Sequence, residues 1–373
     1  MGTQARKLEG RSIDRGRIAE AAACLRDGGL VIFPTETVYG VAANALNPQA
    51  LERLKNVKER HPDKPFTVHV GDPSDARKYV ERLSPLAERL IRKTWPGPLT
   101  VVLPAGDPTR APVIQESSPE HVPSLYFKGD IGIRCPEPAI TCALLTEAGV
   151  PVVASSANPA GRPPPGDADQ AMAMLGGKVD FVIDGGPARY GQASTVVRIE
   201  DNAYSVLREG ILEKRTLDRL ARVHVMIVCA GNTCRSPMAE AIARRLLAER
   251  VGCDENELAE RGYEVSSAGI AAADGMAASP SAVEVMRERG LNLDMHRSTG
   301  LTRARAERAD VLFAVTTGIL NDMIALAPSI RDKCRLLDER DLEDPIGGDR
   351  QAYARCADRI EGALKRHMQE IAL

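Results

Sequence analysis

Apolar positions recur along this chain with two periods, and the elements they predict alternate between helix and strand. Over 15–26, Ile18, Ala21, Ala22 and Leu25 share one helical face, and Asp27-Gly28-Gly29 supplies the stop. The run 30–33 reads as a strand, ended by Pro34-Thr35-Glu36-Thr37-Val38-Tyr39-Gly40. A helix over 48–59, a strand over 66–70 and a helix over 84–93 follow, the last broken by Trp95-Pro96-Gly97-Pro98 before a strand at 99–103. Residues 106–129, rich in proline, serine and charge, read as a surface loop. Next come a strand at 130–134, a helix at 139–148, a strand at 150–154, a helix at 167–175 and strands at 180–183, 195–199 and 204–207. Alternation that gives way to clustered strands predicts an α/β fold whose sheet has parallel and antiparallel parts. Residues before Arg11 are polar and are expected to be loose.

No Gly/Ser/Pro-rich linker interrupts 209–222, where Leu212, Leu217 and Leu220 predict a short connecting helix. The expected division is a first domain over 1–221 and a second over 222–373. The second opens with a buried strand at 224–228 and a helix at 236–250, on which Met238, Ile242, Leu246 and Leu247 recur at helical spacing. Strands at 263–266, 311–315 and 333–337 follow, separated by helices at 281–289, 303–308 and 319–326. The final helix, 353–371, carries Ile360, Leu364 and Met368 on one face. Four strands alternating with helices predict an open parallel sheet with its site at the carboxyl ends of the strands.

Composition narrows the class. Forty-nine Lys and Arg against 51 Asp and Glu leave a net charge of −2, and no basic block announces nucleic-acid binding. No apolar run reaches membrane length and no signal peptide is expected. The eight cysteines have no framework spacing and no CxxC pair, so neither a zinc site nor a disulfide scaffold is expected. Reduced thiols in the cytoplasm fit best.

One stretch carries dense chemistry. Cys229-Ala230-Gly231-Asn232-Thr233-Cys234-Arg235-Ser236-Pro237 joins a strand to a helix, with five residues between Cys229 and Arg235. So short a loop folds its N–H groups around one point beside the positive end of a helix, a cradle of phosphate size. Cys229 at its entrance would feel those N–H groups, the helix and the arginine, which favour thiolate. Arg235 can grip two phosphate oxygens. These residues resemble the low-molecular-weight protein phosphatases, whose signature is Cys-x5-Arg with Gly-Asn inside and Ser-Pro after. The resemblance makes Cys229 the nucleophile, Arg235 the transition-state clamp and Asp344, in Asp344-Pro345, the acid. It makes Ala230, Gly231, Asn232, Thr233, Cys234 and Ser236 the phosphate loop, braced by Ser267 and His296. It also implies that Cys234 can close a reversible disulfide with Cys229.

Three segments of the first half look like sites. Pro34 to Gly40 sets two threonine hydroxyls and a carboxylate past a strand end. Lys58, Arg60 and Lys64 put three cations within seven residues, and Ala154-Ser155-Ser156-Ala157-Asn158 follows a buried strand. With Trp-Pro-Gly-Pro-Leu-Thr, Ile-Arg-Cys-Pro, Ser194-Thr195 and Leu-Arg-Glu-Gly, they resemble the YrdC-like threonylcarbamoyl-AMP synthases. That family condenses L-threonine, bicarbonate and ATP, with Mg²⁺, for tRNA threonylcarbamoyladenosine modification. The resemblance implies a twisted mixed sheet. It gives threonine to Thr37, His69, Arg134, Ala154 and Ser194, and ATP to Lys58, Arg60, Lys64, Ser156, Pro164 and Arg208. Asp130 stands where the family usually has threonine, and beside a nucleotide it would face the ribose or Mg²⁺. No metal ligands and no tightly bound cofactor are expected. The implied partners are tRNA-modification proteins that use threonylcarbamoyl-AMP, and phosphorylated proteins; no membrane is among them.

Rival readings stay open here. The first domain could be a non-catalytic RNA-binding or regulatory module. The second could be an arsenate reductase, which needs two further redox cysteines close together. It could also act on phosphotyrosine rather than phosphoarginine. Ile346-Gly347-Gly348 after the Asp-Pro pair offers no ring to stack on a phenol, and Thr233 stands where tyrosine phosphatases of the family tend to have isoleucine.

Overall fold

A computed structural model describes residues 6–9, 15–59, 65–201 and 203–370, with side chains described from 15 to 367. Contacts divide the chain into two units, Met1–Leu220 and Ala221–Leu373.

The first unit runs β1 (Arg6–Glu9), α1 (Arg15–Arg26), β2 (Val31–Phe33), β3 (Gly40–Asn44), α2 (Pro48–Lys58), β4 (Thr67–His69), α3 (Pro85–Thr94) and β5 (Leu99–Pro104). It continues through α4 (Pro112–Gln115), α5 (Val122–Leu125), β6 (Asp130–Arg134), α6 (Ala139–Ala148), β7 (Val152–Ser156), α7 (Ala168–Leu175), β8 (Phe181–Asp184), β9 (Thr195–Glu200), β10 (Ala203–Arg208) and α8 (Lys214–Ala221). Helix starts follow capping chemistry. Asn47 and Ser84 accept N–H bonds from Ala50 and Ala87 ahead of α2 and α3, each with proline in the first turn. The ten strands form one sheet in the order β1-β8-β2-β3-β7-β4-β6-β5-β9-β10. Its pairing is mixed: β2–β3, β3–β7 and β4–β7 are antiparallel, while β4–β6 and β5–β9 are parallel. On the sheet, α1 and α6 close a core with Leu25, Phe33, Leu144 and Ile183 fully buried or nearly so.

Three departures from the sequence reading have physical causes. Gly40–Asn44 forms β3, although Gly-Val-Ala-Ala-Asn shows no alternation. It lies between β2 and β7 with every residue buried, so neither face needed polar residues. The 106–129 segment is not an open loop. It folds into α4, α5 and two 3₁₀ turns over buried Val113, Ile114, Leu125 and Tyr126, and the Tyr126 hydroxyl donates to Tyr79 O at 2.8 Å. Each such burial contributes about 1.5–3 kcal/mol, enough to offset much of the cost of ordering the chain around it. Finally, Arg6–Glu9, expected to be loose, pairs in parallel with β8.

The second unit holds β11 (Val223–Cys229), α9 (Arg235–Val251), β12 (Tyr263–Gly269), α10 (Pro280–Glu288), α11 (Arg303–Arg308), β13 (Val311–Ala314), α12 (Thr317–Leu326), β14 (Cys334–Leu336) and α13 (Arg350–Glu370). The four strands are all parallel, in the order β12-β11-β13-β14. All seven residues of β11 are buried, as a central parallel strand requires. The first connection crosses to one side of β11 and the next to the other, so the loop after Cys229 emerges where the winding reverses.

Candidate functional sites

The first site is a cavity of about 300 Å³ in the first unit, lined among others by Thr35, Tyr39, Thr67, His69, Thr100, Arg134, Ala154, Ser156, Pro164, Ser194 and Arg208. Pairing of β4 with β6 and β7 sets His69 opposite Arg134 and Val152, so strand register brings these groups together. His69 Nδ1 lies 3.0 Å from Thr67 O. A carbonyl only accepts, so Nδ1 carries the proton and Nε2 is left as an acceptor. Burial, reinforced by the neighbouring Arg134 charge, pushes the imidazole down to about 3. Arg208 donates through Nη2 to Ser194 O at 2.8 Å and Ser194 Oγ at 3.0 Å, and Thr100 Oγ1 lies 3.0 Å from that hydroxyl. Burial and Arg134 both pull Arg208 down from the usual guanidinium range. Two crowded guanidiniums beside a neutral imidazole make a cavity suited to an anion.

Local backbone devices aim these groups. The pairing of β10 with β9 shifts between Val206 and Arg208, so Leu207 is an extra residue, 55% exposed, and Arg208 falls opposite Val196. Gly210 then runs so close to Ala193–Thr195 that a Cβ would meet Ala193 O at 2.5 Å. Thr195 Oγ1 donates to Leu212 O at 3.0 Å and accepts from Leu212 N at 2.8 Å.

Of the residues expected to hold threonine, His69, Arg134, Ala154 and Ser194 line this cavity, whereas Thr37 is buried behind it and bonds Arg134. Of those expected to hold ATP, Ser156, Pro164 and Arg208 line it. Lys58 does not. Its buried ammonium donates to the carbonyls of Ser156 and Asn158 and pins the turn after β7. Asp130 is not there either. It faces Arg198, whose Nε donates to Oδ2 at 2.9 Å, so this acid pairs with a cation at the far end of β6 rather than facing a ribose or Mg²⁺. Arg60 and Lys64 lie outside the described residues. Sequence reasoning left Glu36 and Thr100 without roles, although both sit inside the quoted motifs.

The second site is the loop between β11 and α9. Asn232 has a left-handed backbone, φ 54°, and is fully buried. That bend turns its N–H to Cys229 Sγ at 3.1 Å, while Ser236 Oγ lies 2.9 Å from the same sulfur. The Asn232 amide donates to Ser236 Oγ at 2.9 Å and Ser267 Oγ at 2.8 Å, and accepts from Thr299 N at 2.8 Å. His296 Nε2 donates to Asn232 O at 2.8 Å. Behind Ser267 stands Glu240, accepting its hydroxyl at 2.6 Å; burial pushes this carboxyl up, against the pull of Ser267 and His296. Glu240 lies three residues beyond Pro237, outside the motif quoted from the sequence. No side chain caps the start of α9, which leaves its first N–H groups free to meet an anion.

Arg235, nearly buried, reaches across to the opposite loop, donating through Nη1 to Leu342 O at 3.0 Å and through Nη2 to the Asp344 carboxylate, which is 41% exposed. Cys229 and Cys234 are free thiols with different neighbours; Cys234 Sγ contacts Ser279 Oγ at 3.3 Å and Tyr353 OH at 3.5 Å. Cys334 and Cys356 sit on β14 and α13, and burial pushes both thiols up, Cys356 to about 11. High thiols on separate elements are poor redox relays, which weighs against arsenate reduction.

Comparison with known proteins follows the same division. The family model Sua5_yciO_yrdC, described as telomere recombination, matches residues 23–210. The model for low molecular weight phosphotyrosine protein phosphatase matches residues 224–373. Threonylcarbamoyl-AMP synthase of Bacillus subtilis is 34% identical over 210 residues, covering 56% of this chain and 58% of that protein. A putative threonylcarbamoyl-AMP synthase of Methanocaldococcus jannaschii is 35% identical, over 52% of this chain and 85% of its own. The crystal structure of P. abyssi Sua5 complexed with L-threonine is 24% identical, covers 71% of this chain and 92% of that one, and has a TM-score of 0.50; it speaks to fold alone. The chain thus spans less than two thirds of the B. subtilis relative's length.

Proposed function

Starting from a chain that belongs, through residues 23–210, to the Sua5/YciO/YrdC family, and whose residues 224–373 match the low molecular weight phosphatase family, we propose that it is bifunctional: an L-threonylcarbamoyladenylate synthase joined to a cysteine-dependent protein phosphatase. The observation that carries the first activity is the convergence of Arg134, Arg208, Ser194 and neutral His69 on one cavity. Threonine's amine and bicarbonate give a carbamate and water. A carbamate oxygen attacks the α-phosphorus of ATP, and the bond to pyrophosphate breaks. Arg134 takes threonine's carboxylate, and His69 offers Nε2 as an acceptor. Arg208 meets charge building on phosphate. Mg²⁺ enters with the nucleotide as part of the substrate. Release of pyrophosphate that needs threonine, bicarbonate and ATP together tests this reading; silence in that assay favours the RNA-binding alternative. Arg134→Ala weakens threonine more than ATP, by about 1.5–3 kcal/mol for a lost charged hydrogen bond.

The Cys229-x5-Arg235 loop, with its sulfur braced by Asn232 and Ser236, carries the second activity. Cys229 Sγ attacks phosphorus, Asp344 protonates the departing atom, and water then cleaves the thiophosphate. For this, Arg235 exchanges Asp344 for the phosphate oxygens. Phosphoarginine is the favoured substrate. Ile346 after the Asp-Pro pair is 68% exposed and offers no aromatic wall, Thr233 is small, and Asp344 is already placed to pair with a guanidinium. Matched phosphoarginine and phosphotyrosine peptides test this by kcat/KM. Wild type prefers phosphoarginine and Thr233→Ile moves toward phosphotyrosine; a wild-type preference for phosphotyrosine rejects the assignment. Cys229→Ser loses turnover while keeping phosphate binding.

A further inference from the structure

Arg134 does not stand free in its cavity. Its Nη2 donates to Glu36 Oε1 at 2.7 Å and to Thr37 Oγ1 at 2.7 Å. The Glu36 side chain is 3% exposed, and its second oxygen accepts Glu137 N at 2.9 Å. A proton count fixes the direction of the neighbouring bonds. Thr35 Oγ1 gives its one proton to Val38 O at 2.6 Å. In the 2.7 Å contact between Thr35 and Thr37 the donor is therefore Thr37. The Thr37 hydroxyl, with its proton spent, meets Arg134 as an acceptor. Both hydrogens of Nη2 are thus taken by groups that do not line the cavity. What remains is Nε, buried and without a partner, and Nη1. Nε is enclosed, so Nη1 is the nitrogen left to meet a ligand anion.

We propose that Glu36 is a positioning residue for substrate recognition. From behind the cavity, with Thr37, it holds Nη2 of the Arg134 guanidinium, so that Nη1 is presented to the ligand's carboxylate. This rests on the synthase reading above. Charge supports it as well as geometry. Arg134 and Arg208 are close enough for each to oppose the other's charge, and an unopposed pair would repel or turn aside. Glu36 offsets one of them without entering the cavity, leaving about one net positive charge for an anionic ligand. Glutamine cannot replace it. A single amide oxygen cannot serve both the Arg134 Nη2–H and the Glu137 N–H, because the amide's other end is a donor.

The test is calorimetric titration of the full chain with L-threonine, L-threoninamide and a non-hydrolysable ATP analogue. Threoninamide lacks the carboxylate and reports whether the guanidinium still reads it. Wild type prefers threonine over threoninamide by about tenfold or more, as expected for a charge-assisted pair. In Glu36→Gln, threonine affinity falls about tenfold, the preference shrinks toward unity, and ATP-analogue affinity stays within about twofold. Retention of the wild-type preference overturns the proposal. An equal loss for threonine and the ATP analogue overturns it too, since that marks general damage. If Glu36→Gln fails to fold, Glu36→Asp, which keeps the charge one methylene short, is read in the same way. A wild-type protein that ignores threonine sinks the synthase reading itself, and that outcome is distinct from a variant that binds like wild type.

Discussion

His69 illustrates what one residue's surroundings do to its chemistry. Its folded-state value of about 3 lies below the ordinary 6.5, so as pH falls the unfolded chain takes up a proton that the folded chain refuses. The stability present above about pH 6.5 is lost progressively toward pH 3, by at most about 1.4 kcal/mol per pH unit for one group. Urea unfolding at pH 7 and pH 5 checks this. Wild type should lose about 1–2 kcal/mol more between those values than His69→Gln does; equal losses would mean that the imidazole is not held neutral. Residue types at the second site were readable because the chemistry is compressed into one short run, Cys229 to Ser236. The first site was harder. Lys58, an ammonium in a cationic stretch, looks like a phosphate ligand in sequence, yet its hydrogens go to the carbonyls of Ser156 and Asn158. Asp130 looks like an intruder, but its counter-ion, Arg198, lies 68 residues away. Partners so distant leave no trace in spacing.

At the scale of elements, the strand–loop–helix unit depends on one bend. Asn232 supplies both a left-handed backbone and an amide that ties the loop to Ser236, Ser267 and Thr299. Asn232→Gly keeps the bend and loses the ties; Asn232→Ala loses the ties and adds about 1 kcal/mol of strain. Thermal unfolding should rank wild type above glycine and glycine above alanine. Equal melting of the two variants would show that the bend is relaxed when the amide is gone. Most elements were legible because amphipathic periodicity is written locally, as in α1 with Ile18, Ala21, Ala22 and Leu25. Those that escaped lack a solvent face or a local period. Gly40–Asn44 is buried on both sides, and α4 and α5 are too short to display one.

For the molecule as a whole, two separate sheets carry two separate binding chemistries. Each ligand should stabilise the unit that binds it. In hydrogen exchange, phosphate should slow amides around 229–236 and 267–269, while threonine with an ATP analogue should slow those around 133–134, 154–156 and 194–208. Protection of both regions by either ligand alone would show the sites to be energetically coupled. The ten-strand order was not readable in the sequence, since crossovers such as β3-β7-β4 depend on which buried faces meet. The extra residue at Leu207 has a consequence beyond aiming Arg208. β10 ends the sheet, and a flat outer strand is a template on which a second molecule can grow. The irregular step between Val206 and Arg208 breaks that template's repeat. The same single insertion that turns a guanidinium inward thus also guards the concentrated protein against edge-to-edge aggregation.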